Sequence, residues 1–188
     1  MHTTISRRTL LAGAAALTLA GSAGLANAAN KSDTIIVYFS RTGTVKGLAQ
    51  IIADRTGAVC LELTLKDPYA PEYSDMTSIA RRERSTGARR EIATTIPDLT
   101  PYKNVFIGTP YWWGGISIPM RTFLTDHPME GKRVMPFVAS GSSSPEGAWE
   151  DIETICTKAK IEKGFHVTQS EAPGAKPDLE AWLKALGY

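Results

Sequence analysis

Residues 35–46 read Ile35-Ile36-Val37-Tyr38-Phe39-Ser40-Arg41-Thr42-Gly43-Thr44-Val45-Lys46. The first five are apolar, which is typical of a parallel strand that helices cover on both faces. A loop rich in hydroxyl groups follows, and residues 47–53 then place apolar side chains at helical spacing. A helix N-terminus offers unpaired N–H groups and the positive end of a dipole. The stretch therefore predicts a strand, an anion-binding loop and a helix.

This loop differs from two familiar phosphate motifs. It lacks the G-x-x-x-x-G-K-[ST] pattern of nucleoside triphosphate sites and the G-x-G-x-x-G pattern of dinucleotide sites. Gly43 would let the backbone approach an anion closely, and Ser40, Thr42 and Thr44 could add hydroxyl donors. Taken alone, the loop is consistent with two interpretations: an anion site, or a hydroxyl-capped turn without a ligand.

The first 28 residues have the features of an export signal. Arg7 and Arg8 form a twin-arginine pattern, residues 10–19 are apolar, and Ala26-Asn27-Ala28 matches an A-x-A cleavage site. The apolar stretch is short for a membrane span, which favours a removed signal over a single membrane anchor. We therefore expect a twin-arginine signal peptide over residues 1–28, a domain over residues 29–188 and a periplasmic location. Because this route exports folded proteins, often with a cofactor already bound, it also favours a cofactor.

Charge adds two expectations. The chain has 21 Lys and Arg residues against 19 Asp and Glu, and residues 1–28 hold two of the basic residues and no acid. The remaining chain is therefore formally neutral, and we expect no nucleic-acid partner. Five arginines still cluster around two glutamates, which indicates a solvated helix face with mixed ion pairs or, alternatively, a docking patch for an anionic substrate or acidic partner. These arginines are Arg81, Arg82, Arg84, Arg89 and Arg90.

The sequence pattern gives little support for a disulfide or a metal site at the two cysteines and two histidines of this domain. An oxidising compartment permits a disulfide, but Cys60 and Cys156 fall on elements expected on opposite sides of the sheet. We therefore expect two buried free thiols. His127 and His166 lie in no cluster with the spacing of metal ligands, so we expect no metal.

Strands and helices alternate along the domain. The patterns predict strands over residues 35–39, 59–63, 105–108, 133–139 and 164–168, and helices over residues 47–53, 74–84, 119–126, 149–158 and 178–186. This alternation predicts an α/β fold: a doubly wound, five-stranded parallel sheet in the order 2-1-3-4-5, with helices on both faces.

Three strand-end loops are unusual, and this order brings them together. Ligands on doubly wound sheets bind at the carboxyl ends of the strands, where the first, third and fourth strands are neighbours. The third loop holds Trp112 and Trp113 between Pro110 and Gly114-Gly115, and one of the two tryptophans is expected to pack as core. The fourth loop, residues 140–144, supplies hydroxyls and N–H groups. A phosphate cradle, an aromatic wall and a polar edge fit a phosphorylated flat heterocycle such as FMN.

These loops resemble those of flavodoxin. Phe39-Ser40-Arg41-Thr42-Gly43-Thr44 is similar to the flavodoxin phosphate loop, and Thr109-Pro110-Tyr111-Trp112-Trp113-Gly114 is similar to the flavin loop of a short-chain, flavodoxin-like subfamily with two tryptophans. The resemblance covers about residues 34–186 and implies a three-layer α/β/α fold with FMN as cofactor.

The resemblance also implies residue roles. The phosphate-loop residues would hold the phosphate, Tyr111 to Gly114 would line one side of the isoalloxazine ring, and residues 140–143 would lie near its pyrimidine edge. No side chain is implied as a catalytic acid or nucleophile, because the flavin carries out the redox chemistry. The implied cofactor-binding residues are Ser40, Arg41, Thr42, Gly43, Thr44, Val45, Pro110, Tyr111, Trp112, Trp113, Gly114, Ser140, Gly141, Ser142 and Ser143.

The chain departs from the flavodoxin pattern in two ways. Val45 stands where these phosphate loops usually have Thr, which removes a hydroxyl donor worth about 1–2 kcal/mol toward a charged group. Thr44 or Lys46 could compensate. Electron-carrying flavodoxins are usually acidic, whereas this domain is formally neutral, so steered docking to a basic redox partner has less support.

Three functions remain open. The first is an exported FMN protein that carries electrons to or from a redox partner protein. The second is an FMN-dependent NAD(P)H:quinone-type reductase, which the arginine cluster and the neutral charge favour slightly. The third is a flavin-less binding module on the same fold, which only Val45 supports. None of them requires a membrane anchor after signal cleavage.

Overall fold

The computed structural model describes Met1 and residues 33–188. The predicted signal peptide, apart from Met1, lies outside the described residues. Residues 33–188 form one compact unit, and no helix of the described residues is long and apolar enough to cross a membrane.

Seven strands and five α-helices build this unit. The strands are β1 (Thr34–Tyr38), β2 (Val59–Glu62), β3 (Asn104–Trp112), β4 (Gly115–Ile116), β5 (Arg133–Ser140), β6 (Lys160–Ile161) and β7 (Phe165–Thr168). The α-helices are α1 (Thr44–Thr56), α2 (Tyr73–Thr86), α3 (Ile118–Asp126), α4 (Glu146–Ile155) and α5 (Lys176–Ala185), and a short 3₁₀ helix covers Ala172–Gly174.

The predicted architecture is confirmed. The sheet order is β2-β1-β3-β5, with β6 and then β7 beside β5, and all these pairings are parallel. Successive residues of β1 enter different cores: Ile35 and Val37 pack with α3 and α4 residues, whereas Ile36 packs with α1 and α5 residues. The sheet is therefore buried on both faces between two helical layers, as the apolar run of β1 predicted.

One predicted strand is two strands in the structure. Val134 of β5 pairs with Ile161 of β6, and Phe137 pairs with Phe165 of β7. Between these two pairs β5 advances by three residues, whereas the neighbouring chain from β6 to β7 advances by four. The neighbouring chain therefore has one extra residue, which bulges out of the sheet. Pro136 lies inside this interval and has no N–H to donate to the ladder, which explains why the pairing breaks there.

The predicted third strand is also longer than expected. It continues through Trp112 and turns back into β4, with Tyr111 opposite Ile116 and Trp112 opposite Gly115. The two turn residues, Trp113 and Gly114, have φ angles of 51° and 85°. Two consecutive positive φ angles are what a two-residue hairpin needs to match the twist of its strands. The predicted loop over residues 109–115 is therefore mostly a hairpin.

Two further expectations were wrong in detail. Helix α4 begins at Glu146 and ends at Ile155, three residues before the predicted range at each end. Cys156 is buried, as expected, but Cys60 is exposed because β2 is the edge strand of the sheet. Both thiols are free, and burial raises the pKa of the Cys156 thiol to about 11.

Gly108 gives a test of sheet packing. A Cβ at this position would overlap the ring of Phe137 and lie 2.8 Å from Cβ of Tyr38, so we expect Gly108→Ala to destabilise the fold by about 2 kcal/mol in urea unfolding. Gly47→Ala is the matched control, because a Cβ there meets nothing within 4 Å and α1 should gain about 0.5–1 kcal/mol. Equal stabilities for the two variants would contradict this packing.

Candidate functional site

A crevice of about 120 Å³ lies where the loops after β1, β3 and β5 meet. This is the carboxyl edge of the sheet at its switch point, the place where doubly wound folds bind ligands. Ten of the residues named from the sequence line it: Ser40, Arg41, Thr42, Thr44, Val45, Pro110, Tyr111, Trp112, Ser140 and Gly141.

In the loop after β1, backbone N–H groups converge on one oxygen. Oγ of Ser40 accepts hydrogen bonds from N–H of Gly43 at 3.2 Å and of Lys46 at 3.3 Å. Gly43, with a φ of 89°, supplies the left-handed turn that begins α1. The first turn of α1 directs its remaining N–H groups out of the helix toward the same end. This loop is therefore built to receive an anion or a hydroxyl oxygen.

The hydroxyls of the loop lie beside this point. Oγ1 of Thr42 and Oγ1 of Thr44 are 3.3 Å apart, and both residues line the crevice. The Arg41 side chain instead ties the loop to the next one: its Nη2 donates to the carbonyl of Pro71 at 2.8 Å, and its guanidinium lies 5.7 Å from the ring centroid of Tyr73.

Val45 and Lys46 behave as apolar and structural residues in this loop. Val45 is 2% exposed and packs in the core between α1 and the sheet, so its side chain contributes apolar surface at the crevice floor. Nζ of Lys46 is 2.7 Å from Oε2 of Glu62, which also accepts a hydrogen bond from Tyr38. Burial, together with this carboxylate, raises the pKa of the Tyr38 hydroxyl to about 12.

The two tryptophans of the hairpin point to different surroundings. Trp112 lines the crevice and meets the rings of Phe39 and Tyr69 edge-on, at centroid distances of 5.7 and 5.2 Å. Trp113 is 47% exposed, donates its indole N–H to the carbonyl of Thr77 at 2.9 Å and lies under the guanidinium of Arg81. Trp112 is thus the wall of the crevice, while Trp113 fastens the hairpin to α2.

A buried carboxylate holds the same hairpin from the other side. Asp151 on α4 is 9% exposed, and its Oδ2 accepts the N–H of Ile116 at 3.0 Å. Its Oδ1 lies 3.1 Å from Nη2 of Arg84 and 3.5 Å from Nη1 of Arg121. Arg84 Nη2 also donates to the carbonyl of Gly114 at 3.3 Å. One carboxylate therefore links α2, α3 and α4 to the turn beside the crevice.

Two glycines make this arrangement possible. A Cβ on Gly115 would overlap the Asp151 carboxylate and lie 2.5 Å from Cζ of Arg84, and a Cβ on Gly147 would overlap the carbonyl oxygen of Gly114. Neither glycine has a positive φ angle, so both are required by close approach.

The loop after β5 closes on itself through Ser140. This residue is 5% exposed, donates its hydroxyl to the carbonyl of Ser143 at 2.6 Å, and has its Oγ 2.9 Å from Nε2 of His166 on β7. Beyond the turn, the hydroxyl of Ser144 bonds to Glu146, which lowers the pKa of that exposed carboxyl.

The other predicted site residues surround the crevice without lining it. Gly43 lies within the phosphate loop, Trp113 and Gly114 form the hairpin turn, and Ser142 and Ser143 form the turn after β5. Their contact with a ligand stays a prediction.

Four residues lining the crevice were not named from the sequence. They are Tyr73 and Met76 on α2, Ala139 on β5 and Gln169 after β7. Tyr73 had a signal, because it is an aromatic residue in the loop just before the predicted helix over residues 74–84; it is 70% exposed. The other three had none, since a methionine inside a helix, an alanine inside a strand and a lone glutamine are typical of ordinary packing or surface.

The arginine cluster is mostly engaged in ion pairs. Arg84 pairs with Asp151, Arg89 with Asp126, and Arg90 with Glu83 at 2.8 Å. Arg81 lies over Trp113, and within residues 33–188 neither Arg81 nor Arg82 forms an ion pair. These contacts favour the interpretation of the cluster as a helix face with mixed ion pairs over that of a docking patch.

A larger groove of about 470 Å³ adjoins the crevice across the phosphate loop. It shares Ser40 and Arg41 with the crevice, and most of its remaining lining is apolar. The apolar part comprises Phe39, Leu63, Leu65, Pro68, Tyr69, Ala70 and Pro71.

Among the described residues no three His, Cys, Asp or Glu side chains are grouped as metal ligands.

Comparisons with known proteins support this fold. The model of the flavodoxin family matches residues 33–186. A candidate flavoprotein from Bacteroides uniformis is 26% identical, with a TM-score of 0.71 over 80% of this chain and 97% of that one. A flavoprotein from Lactobacillus acidophilus, solved in complex with FMN, is 20% identical, with a TM-score of 0.61 over 75% of this chain and 96% of that one. No curated protein matches the chain significantly.

The Asp151 carboxylate gives the sharpest test of the hairpin. Asp151→Ala leaves the partly buried Arg84 without its carboxylate partner and removes the acceptor for Ile116 N–H, so we expect a loss of about 3 kcal/mol in urea unfolding. Asp126→Ala is the control, since its pair with Arg89 is exposed and should contribute less than about 1 kcal/mol. Similar losses for both would show that Asp151 is an ordinary surface charge.

Proposed function

We propose, from the premise that this chain belongs to the flavodoxin family, that it binds FMN in the crevice and carries electrons in the compartment to which it is exported. The observation that supports the proposal most is the convergence of the Gly43 and Lys46 N–H groups on Oγ of Ser40 at the start of α1. Such a point suits a phosphate, because the helix dipole favours negative charge there, and the Ser40 hydroxyl, which accepts these two N–H groups, still has its own proton to donate.

The residues present fit the rest of this cofactor. Thr42 and Thr44 offer hydroxyls next to the N–H donors, and Trp112 and Tyr111 offer a flat aromatic surface on the other side of the crevice. The turn after β5 offers backbone donors at Gly141. When bound, FMN supplies the capacity to take up and release electrons. The role of the side chains is to bind it, orient it and limit the access of water.

The shared fold of the Lactobacillus acidophilus flavoprotein, which carries FMN, is consistent with this assignment. The formally neutral domain, in which Arg84, Arg89 and Arg90 are paired with carboxylates, lacks the strong single-sign field that steers a carrier to a charged protein. The proposed partner is therefore a redox protein that recognises the rim of the crevice by shape and apolar contact.

A second candidate function is an FMN-dependent reductase of quinone-like molecules. The groove of about 470 Å³ beside the phosphate loop favours it, since a mostly apolar pocket of this size is typical of small-molecule sites. The flavin-less module has only Val45 in its support, and that residue is accounted for by packing in the core.

Isosteric removal of one loop hydroxyl tests the cofactor site. We expect Thr44→Val to raise the Kd for FMN about tenfold, because a hydrogen bond to a charged phosphate is worth about 1.5 kcal/mol or more. The Kd for riboflavin, which lacks the phosphate, should not change. Flavin fluorescence quenching measures both, and Thr125→Val, whose hydroxyl bonds only within α3, is the control. An apoprotein that stays colourless and does not quench FMN would exclude both flavin functions.

Turnover separates the carrier from the reductase. A carrier should exchange electrons once per bound flavin with a donor protein, and NAD(P)H with a soluble naphthoquinone should give no sustained oxidation. Many turnovers with these two small molecules would favour the reductase instead. Stopped-flow absorbance of the flavin, followed at steady state, distinguishes the two outcomes.

Export through the twin-arginine route belongs to the same proposal. We expect Arg7→Lys with Arg8→Lys to retain the protein in the cytoplasm, because the arginine pair identifies the route. The matched control changes Arg81 and Arg82 to lysine, within the folded domain. Cell fractionation with a blot for the shortened chain gives the result; export of the double lysine variant would contradict the route, and an uncleaved membrane-bound chain would indicate an anchor.

A further inference from the structure

The turn after β5 has a partner that the flavodoxin resemblance does not name. His166 stands on β7, where it pairs in register with Val138, and its Nε2 lies 2.9 Å from Oγ of Ser140. Ser140 is buried and lines the crevice, so His166 reaches the crevice only through this hydroxyl.

Counting hydrogens settles the direction of this bond. The Ser140 hydroxyl has one proton, and the Ser143 carbonyl, 2.6 Å away, can only accept. That proton therefore goes to Ser143, and Oγ of Ser140 has only lone pairs to offer to the imidazole. Nε2 of His166 must then carry a proton and donate it. The same count excludes His166 as a base that activates Ser140 as a nucleophile, because a base would need a free lone pair on Nε2.

We infer that His166 is a positioning residue of the crevice: its Nε2–H fixes the Ser140 hydroxyl, which in turn holds the turn over residues 140–143. The Ser140 hydroxyl then stabilises the turn, because it donates to the Ser143 carbonyl. The imidazole of His166 restricts rotation of the Ser140 side chain about its Cα–Cβ bond. The Ser140 carbonyl also accepts N–H of Gln169 at 2.7 Å, so β7 and its following loop hold the residue at two points.

The consequence for binding rests on the proposed function. Gly141 lines the crevice directly after Ser140, and its N–H is useful to a ligand only while the turn keeps its shape. A turn held from β7 is pre-organised, so the ligand does not have to order it on binding. His166 should therefore contribute to FMN affinity without touching FMN.

Three variants test this role by FMN titration. We expect His166→Phe, which keeps a ring but has no donor, to raise the Kd for FMN about tenfold. His166→Gln can place an amide N–H near the position of Nε2 and should stay within about twofold of the parent. His127→Phe is the matched control, since His127 ends α3 and lies on another cavity, and it should leave the Kd unchanged. Equal losses for the Phe and Gln variants would overturn the donor role.

A double-mutant cycle checks that the effect passes through the hydroxyl. Ser140→Ala alone should weaken FMN about as much as His166→Phe, and the double variant should cost no more than either single one. Additive losses would mean that His166 acts independently of Ser140, which contradicts the inference.

An NMR readout on the ligand-free protein keeps this inference separate from the proposed function. Nitrogen-15 spectra of the imidazole should show His166 protonated at Nε2, and the amide signals of residues 141–143 should move in His166→Phe and return in His166→Gln. An unprotonated Nε2, or unmoved amides, would overturn the positioning role whether or not FMN binds. A parent protein that fails to bind FMN but passes these tests would reject the proposed function alone.

Discussion

The carboxylate of Asp151 is the constraint on which the geometry of the crevice depends. It is nearly buried, and in that position a carboxylate must be paired and hydrogen-bonded. Its partners come from three elements: Arg84 of α2, Arg121 of α3 and the N–H of Ile116 in β4. Gly115 and Gly147 are the positions where a Cβ would collide with this group or with the turn it holds. The hairpin is therefore fixed by charge and by close packing together.

This fixed hairpin explains how two adjacent tryptophans come to do different things. The turn needs a positive φ at Trp113, a conformation that residues with a Cβ adopt at some cost. The Asp151 contacts on one side and the bond from Trp113 to Thr77 on the other offset that cost. Because the chain reverses at Trp113 and Gly114, Trp112 remains on the strand and forms the crevice wall.

The order of strands in the sheet could be predicted from the sequence, but the details at the edges of the sheet could not. The apolar run of residues 35–39 predicted a strand buried on both faces, and hydroxyl and aromatic loops after three strands indicated the crevice. Missing were the hairpin, whose Trp113-Gly114 turn lacks the usual Asn-Gly or Asp-Gly signal, and the break opposite Pro136. Asp151 and His166 were also missed as supporting residues. Their roles depend on partners far away in the chain, and a lone acid or histidine in a helix or strand has no local pattern that marks such a role.

Val45 shows how the phosphate loop divides its residues between folding and binding. Its side chain is almost fully buried in the core between α1 and the sheet, and burying a valine contributes about 1.5–3 kcal/mol to stability. A threonine there would place a hydroxyl against the same apolar neighbours, which costs about 1–3 kcal/mol until a ligand accepts its hydrogen bond. The valine therefore stabilises the loop without a ligand, at the expense of one contact to a bound phosphate. The loop keeps the hydroxyls of Ser40, Thr42 and Thr44, and under the proposed function these, with the N-terminus of α1, are the groups left to contact a phosphate.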